Sequence, residues 1–203
     1  MTRARCLRFG AFLVALTSLV VAGQPGRAVA QGGELVTRGR QALDANKVDD
    51  AITLLEKALT TEPNNPFAMA WLGSAQVHKA GTVSAFDGPG WVKKGFTTLD
   101  EAVDKFPNVF IVYLSRAVTA VRVPDMFKKA PVAVKDLNTL LTMREKNAAA
   151  VPDDVMGVVY LNLGRAYKKT GQAAEARATW EKGKKLFPAV PESPAIDKEL
   201  KDL

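Results

Sequence analysis

The feature that most constrains this chain is a spacing of small residues, bulky residues and prolines that recurs along it. Gly39 is followed twelve residues later by Ala51, then by Leu55, Ala58 and Pro63. Gly164 is followed in the same steps by Ala176, Trp180, Gly183 and Pro188. Between them lie two interrupted copies. Gly73 leads to Gly95, Leu99, Ala102 and Pro107 with ten extra residues before Gly95. Ala117 leads to Ala133, Leu137 and Leu140 with four extra residues and no closing proline.

The local pattern inside each copy is helical. Ala51, Leu54, Leu55, Ala58 and Leu59 recur three and four apart, which places them on one helix face. Val109 to Tyr113 is a strand-like apolar run, but it continues at helical spacing into Leu114, Ala117, Val118 and Val121, so it reads as a helix. Each copy is then a pair of helices. Small residues at Gly39, Gly73, Ala117 and Gly164 on first helices meet Ala51, Gly95, Ala133 and Ala176 on second helices, and the backbones approach closely there. Leu55, Leu99, Leu137 and Trp180 plug the groove one turn on. Pro63, Pro107 and Pro188 end the pairs, because proline cannot continue a helix. One pair alone cannot bury its apolar stripe, so the pairs must stack.

The N-terminus has a different grammar. Arg3, Arg5 and Arg8 precede an apolar run from Phe9 to Ala22, and Ala28-Val29-Ala30 forms a small-residue cleavage site. Gly23, Pro25 and Gly26 are expected to break any helix between them. The run of 14 residues would make a helix of roughly 21 Å, short of the roughly 30 Å bilayer core. Residues 1–30 therefore read as a signal peptide cleaved after Ala30, giving a periplasmic or secreted product with no membrane span after cleavage; an uncleaved membrane anchor is the alternative. The net charge of +7 owes four arginines to that segment, and the remaining 24 basic and 21 acidic residues leave +3. That balance argues against nucleic-acid binding. The lone cysteine, Cys6, leaves with the signal, so no disulfide is expected and the fold must rest on burial.

The stretches "GRQALDANKVDDAITLLEKALTTEPNN" and "YLNLGRAYKKTGQAAEARATWEKGKKLFP" resemble the tetratricopeptide repeat, a helix–turn–helix unit of about 34 residues. The resemblance implies an all-α solenoid of about four such repeats, at 32–65, 66–109, 110–150 and 151–190. A short charged segment at 191–203 is expected to cap the last helix as a C-terminal capping helix. The chain would thus consist of a signal peptide, 1–30, and a repeat domain, 31–203. Three interruptions depart from the family pattern: Thr82 to Gly90, where Gly88-Pro89-Gly90 reads as a turn, Met126 to Pro131, and the linker Ala148 to Asp154.

Catalytic groups are sparse. His78 is the only histidine, and it reads as an exposed helix-end residue rather than a base. Zinc-ligand spacings and phosphate-cradling or nucleophile motifs are absent, so no metal, cofactor or enzymatic activity is expected. Asp49-Asp50, Asp100-Glu101 and Asp153-Asp154 read as carboxylates at early helix turns, where the helix dipole favours them. Trp71, Phe86, Trp91 and Phe96 read as packing the inserted loop onto its own helices, with an exposed anchor pocket as the alternative. Trp180 reads as core.

What the resemblance implies instead is a concave groove lined by first helices. Carried onto this chain, the lining includes Val36, Arg40, Leu43 and Asp44, then Phe67, Ala70, Ser74, Val77 and His78. It continues with Ile111, Leu114, Val118, Val121 and Arg122, and ends with Val158, Leu161, Arg165, Lys168 and Lys169. Arg40, Arg122, Arg165, Lys168 and Lys169 make it basic. They suit a peptide with apolar anchors and acidic groups or a free carboxylate, or else form a solvated face. The expected function is an exported, non-catalytic scaffold or adaptor for a protein or peptide partner in the cell envelope. The alternative is an accessory protein binding a small ligand, lipid or glycan. The partner's identity and the oligomeric state stay open at the level of sequence.

Overall fold

The computed structural model describes residues 25–203, and the apolar run Phe9 to Ala22 and most of the signal-peptide segment lie outside them. Nine α-helices occur among the described residues: α1 Pro25–Asp44, α2 Val48–Thr61, α3 Pro66–Lys79, α4 Gly88–Lys105, α5 Phe110–Arg122, α6 Ala130–Lys146, α7 Met156–Lys169, α8 Ala173–Leu186 and α9 Ser193–Lys201. No strand occurs among those residues. Helices pair as α1/α2, α3/α4, α5/α6 and α7/α8. Each pair packs on the next, with α3 and α5 side by side. None of these helices is long and apolar enough to cross a membrane.

The sequence explains the boundaries locally. Pro66, Pro89, Pro131 and Pro194 sit in the first turns of α3, α4, α6 and α9, where a missing N–H costs nothing. Asn65 caps α3 by accepting the Ala68 N–H at 3.0 Å. The first and last hairpins turn by the same device. Asn46 and Gly171 stand seven residues after Gly39 and Gly164, and both take positive φ, 59° and 79°. Lys47 N–H then reaches the Ala42 carbonyl at 2.8 Å, and Gln172 N–H reaches the Tyr167 carbonyl at 2.9 Å. This closes the helix end in a Schellman arrangement, and only Gly or Asn adopts that backbone readily.

The notches face each other as the spacing requires. A methyl group at Gly39 would lie 2.7 Å from Leu55 Cγ, and one at Gly73 would lie 3.0 Å from the Gly95 carbonyl oxygen. One at Gly95 would meet the Gly73 carbonyl oxygen at 2.6 Å. At Gly164 it would run into the Trp180 indole. Leu55, Leu99, Leu137 and Trp180 are fully buried. The Trp180 ring N–H is satisfied by the Leu161 carbonyl at 3.0 Å, so its burial strands no polar group. Helix α9 lays Ile196 against Leu161, Ala176 and Trp180 and closes the end of the stack.

Several expectations need correction. Gly88-Pro89-Gly90 is the first turn of α4, not a free turn. Proline fits there because a helix start already has unpaired N–H groups. Likewise the described residues are helical from Pro25 onward, so Pro25 and Gly26 lie within α1 rather than breaking it, as do Ala28 to Ala30. Asp100 and Glu101 lie in the later turns of α4, where the dipole offers a carboxylate nothing. Asp100 instead pairs with Arg116 at 2.8 Å. The aromatic cluster does not hold together: Phe96 is buried and Trp71 and Trp91 are half-buried, but Phe86 is 94% exposed.

Candidate functional site in the first-helix trough

The helices expected to line the trough, α1, α3, α5 and α7, lie each beside the next. Helices α3 and α5 run parallel and in register. The Phe67 and Phe110 rings meet edge to face at 6.3 Å near their starts. Two turns on, the Ser74 and Thr119 hydroxyls lie 3.0 Å apart. Phe67 is 40% exposed. An aromatic pair in this geometry holds its outer ring in place while leaving a face open.

The proposed lining divides into three groups. Ala70, Val77, Ile111, Leu114, Val121 and Leu161 are buried against neighbouring helices and contribute to core rather than to an open surface. Val36, Leu43, Val118 and Val158 are half-buried, and Ser74 is tied to the α3/α5 seam. Arg40, Asp44, Phe67, His78 and Arg122 are exposed.

The expected basic character is much reduced by pairing. Arg40 donates to Asp44 at 3.1 Å one turn along α1, so those two candidates neutralise each other. Arg165 Nε donates to Glu199 of α9 at 2.7 Å, and Lys168 lies 3.5 Å from the same carboxylate. Lys168 also donates to the Asp202 carbonyl at 3.2 Å. Lys169 donates to the Val123 carbonyl at 3.1 Å and to Asp125 at 2.8 Å. For Arg165, Lys168 and Lys169 the sequence could not show this, because each of their partners lies more than thirty residues away and is brought in by stacking. Arg122 makes no ion pair among the described residues.

Sequence reasoning missed a buried ion cluster beside the trough. Arg116 of α5 grips Asp136 of α6 through two hydrogen bonds of 2.8 Å, from Nε and from the second guanidinium nitrogen. Its remaining nitrogen donates to Asp100 of α4 at 2.8 Å. Asp136 is completely buried. Burial disfavours charge on Arg116, but the hydrogen bonds and charges of Asp136 and Asp100 outweigh it and hold the guanidinium ionised. Burial pushes the Asp136 carboxyl above its ordinary range, opposed by Arg116. The cluster ties three helices of two hairpins together. The period gave no signal for it: Arg116 immediately precedes the notch Ala117 and Asp136 the plug Leu137, positions that in other repeats are exposed at Arg38 and half-buried at Thr179. Among the described residues no group of His, Cys, Asp and Glu is placed to hold a metal ion.

Comparison with known proteins bears on this geometry. Residues 158–189 match the tetratricopeptide-repeat family. No curated protein matches the sequence. Among solved structures, the chain is similar to a mutant of MamA at 22% identity, covering 80% of this chain and 78% of that one with a TM-score of 0.53. It is similar to MamA of AMB-1 at 21% identity, covering 81% and 75% with a TM-score of 0.51. A thermophilic TPR protein in Thermus thermophilus is 17% identical over 84% of this chain and 97% of that one, with a TM-score of 0.49. The fourth hairpin thus matches a tetratricopeptide repeat, the first two make the same glycine-notch and plug contacts, and the fold is a stack of helical hairpins similar to these solved structures.

Proposed function

We propose that the chain is an exported, non-catalytic adaptor that seats a protein or peptide in the trough of its first helices. The observation that carries this reading is Phe67. It is a large aromatic, 40% exposed, braced by Phe110 at 6.3 Å, at a position where the stack gains little from its open face. Braced aromatics of this kind are the usual anchors of protein interfaces. Since α9 and Asp125 engage Arg165, Lys168 and Lys169, the partner's acidic group falls to Arg122, with His78 exposed on the neighbouring helix. The partner is then a segment with one apolar anchor and one carboxylate, not a broadly acidic peptide. Export rests on Arg3, Arg5, Arg8, the apolar run and the Ala28–Ala30 site.

A photo-crosslinking residue in place of Phe110, used in intact cells, should trap one envelope partner. Replacing Phe67 with Ala should weaken that partner's binding by at least tenfold, about 2 kcal/mol for a central anchor. Stability should fall by only about 0.5–1.5 kcal/mol, the worth of the Phe67–Phe110 contact, and the fold should stay helical. If Phe67→Ala and Arg122→Glu both capture the partner as well as the parent chain does, the trough is not the binding site.

A further inference from the structure

The parallel register of α3 and α5, set by Phe67 against Phe110 and Ser74 against Thr119, brings the C-terminal ends of both helices to one rim of the stack. The connections to α4 and α6 leave from that rim. Helix α7 ends there too, since Lys169 reaches the Val123 carbonyl and Asp125 in the α5–α6 connection. The outer hairpins cross this rim by tight turns at Asn46 and Gly171. The two middle hairpins cross it by the inserted segments, which the helix pairing itself does not require.

Each inserted segment ends in a large apolar side chain exposed to solvent. Phe86 is 94% exposed and Met126 is 77% exposed. Basic residues flank both tips. Lys93 and Lys94 are exposed in the early turns of α4, Lys94 lying 5.0 Å over the Trp91 ring. Lys128 is exposed, and Lys129 lies 4.2 Å over the Phe96 ring. Of the nearby acids, Asp125 is paired with Lys169 at 2.8 Å, while Asp87 accepts from the Ser84 hydroxyl at 2.7 Å and keeps its charge beside four lysines. A hollow of about 410 Å³ between the α5–α6 connection and the end of α7 is lined by Lys128 and Lys129 beside the Lys169–Asp125 pair.

We propose that this rim docks peripherally on an anionic lipid surface, with Phe86 and Met126 entering the headgroup layer and the lysines meeting the lipid phosphates. Two isolated apolar tips on separate projections suit a fluid apolar layer, which accepts single side chains wherever they fall. A protein partner would need a matched pocket for each. The lysine flanks select anionic lipid and contribute about 1 kcal/mol each near such a surface. No described helix could span a bilayer, so the attachment is surface-bound and reversible. The reading goes beyond the adaptor function: Phe67 lies at the start of α3 and the rim at the C-terminal ends of α3, α5 and α7, so one molecule could hold a partner at Phe67 while resting on a membrane.

Hydrogen exchange of the full chain, resolved by segment, tests this with vesicles of phosphatidylcholine alone or mixed with phosphatidylglycerol. The mixed vesicles should slow exchange in residues 82–90 and 123–129, and the neutral vesicles should not. Phe86→Ser with Met126→Ser should abolish that protection while circular dichroism stays helical. Lys93→Ala with Lys128→Ala should weaken binding about 25-fold at low salt, about fivefold for each lysine removed. Protection of equal size on neutral vesicles, or protection that survives the Phe86/Met126 double variant, overturns the proposal. So does adsorption that leaves both loops exchanging as in buffer, because attachment would then run through Phe9 to Ala22. Partner capture through Phe67 is measured separately and is unaffected by any of these outcomes.

Discussion

At the scale of single residues, the stack depends on atoms that are missing. Gly164 has no side chain because the Trp180 indole occupies the space beside it. Gly164→Leu should therefore force α7 and α8 apart and cost about 1–3 kcal/mol, the range for overpacking a filled interior; a thermal melt reads it directly. Arg116 makes the opposite kind of contribution. Truncating it to Met leaves Asp136 buried and unpaired, which should cost about 3–5 kcal/mol in a denaturant titration at neutral pH. The pH dependence has a definite sign. Burial already raises the folded Asp136 carboxyl above its ordinary range. Loss of Arg116 removes the attraction that opposes the rise. A carboxyl that binds its proton more tightly when folded favours folding below its unfolded value of about 3.9. It loses that contribution as pH rises through the raised folded value. The Arg116→Met penalty should accordingly shrink as the solution is acidified from neutrality. A penalty that grows on acidification would mean Asp136 is not the group left stranded.

At the scale of elements, α9 has the clearest dependence on its neighbours. It is a helix of nine residues, too short to persist alone in water. Ile196 is its one fully buried anchor, set against Leu161, Ala176 and Trp180. Its Glu199 and Asp197 reach Arg165, Lys168 and Lys184. Those partly exposed pairs orient it more than they stabilise it. Ile196→Ala should remove about 2–5 kcal/mol of local stability. Hydrogen exchange in residues 193–201 should then rise sharply, while α3 to α6 stay protected. If exchange across all helices rises together, α9 is part of the global cooperative unit and not a separable cap.

At the scale of the whole molecule, helix pairing and surface display are separate problems, and the sequence speaks to them unequally. The notch residues, the plugs and the closing prolines act through the adjoining helix of their own pair. The period therefore revealed which helices pair, which residues are small and which bulky side chains are core, because local geometry and volume exclusion alone impose them. The tight turns at Asn46 and Gly171 are equally local, set by residues that tolerate positive φ, but the period of notches and plugs does not mark them. The trough was legible only as an outline. Position along a helix says which way a residue can face, but not what a hairpin thirty or forty residues away will place in front of it. Arg165 and Lys168 read as open cations until α9 set Glu199 beside them, and Lys169 until the α5–α6 connection brought Asp125. Asp136 drew no reading from the sequence, and only the fold encloses it with Arg116. Gly88-Pro89-Gly90 read as a turn because proline and glycine break helices in isolation, and neighbouring helices fixed it as a helix start. Periodicity and side-chain size determined the rods and how they nest. Stacking alone decided which charges remain free and which aromatic faces meet water, since those depend on long-range Coulomb partners and on burial.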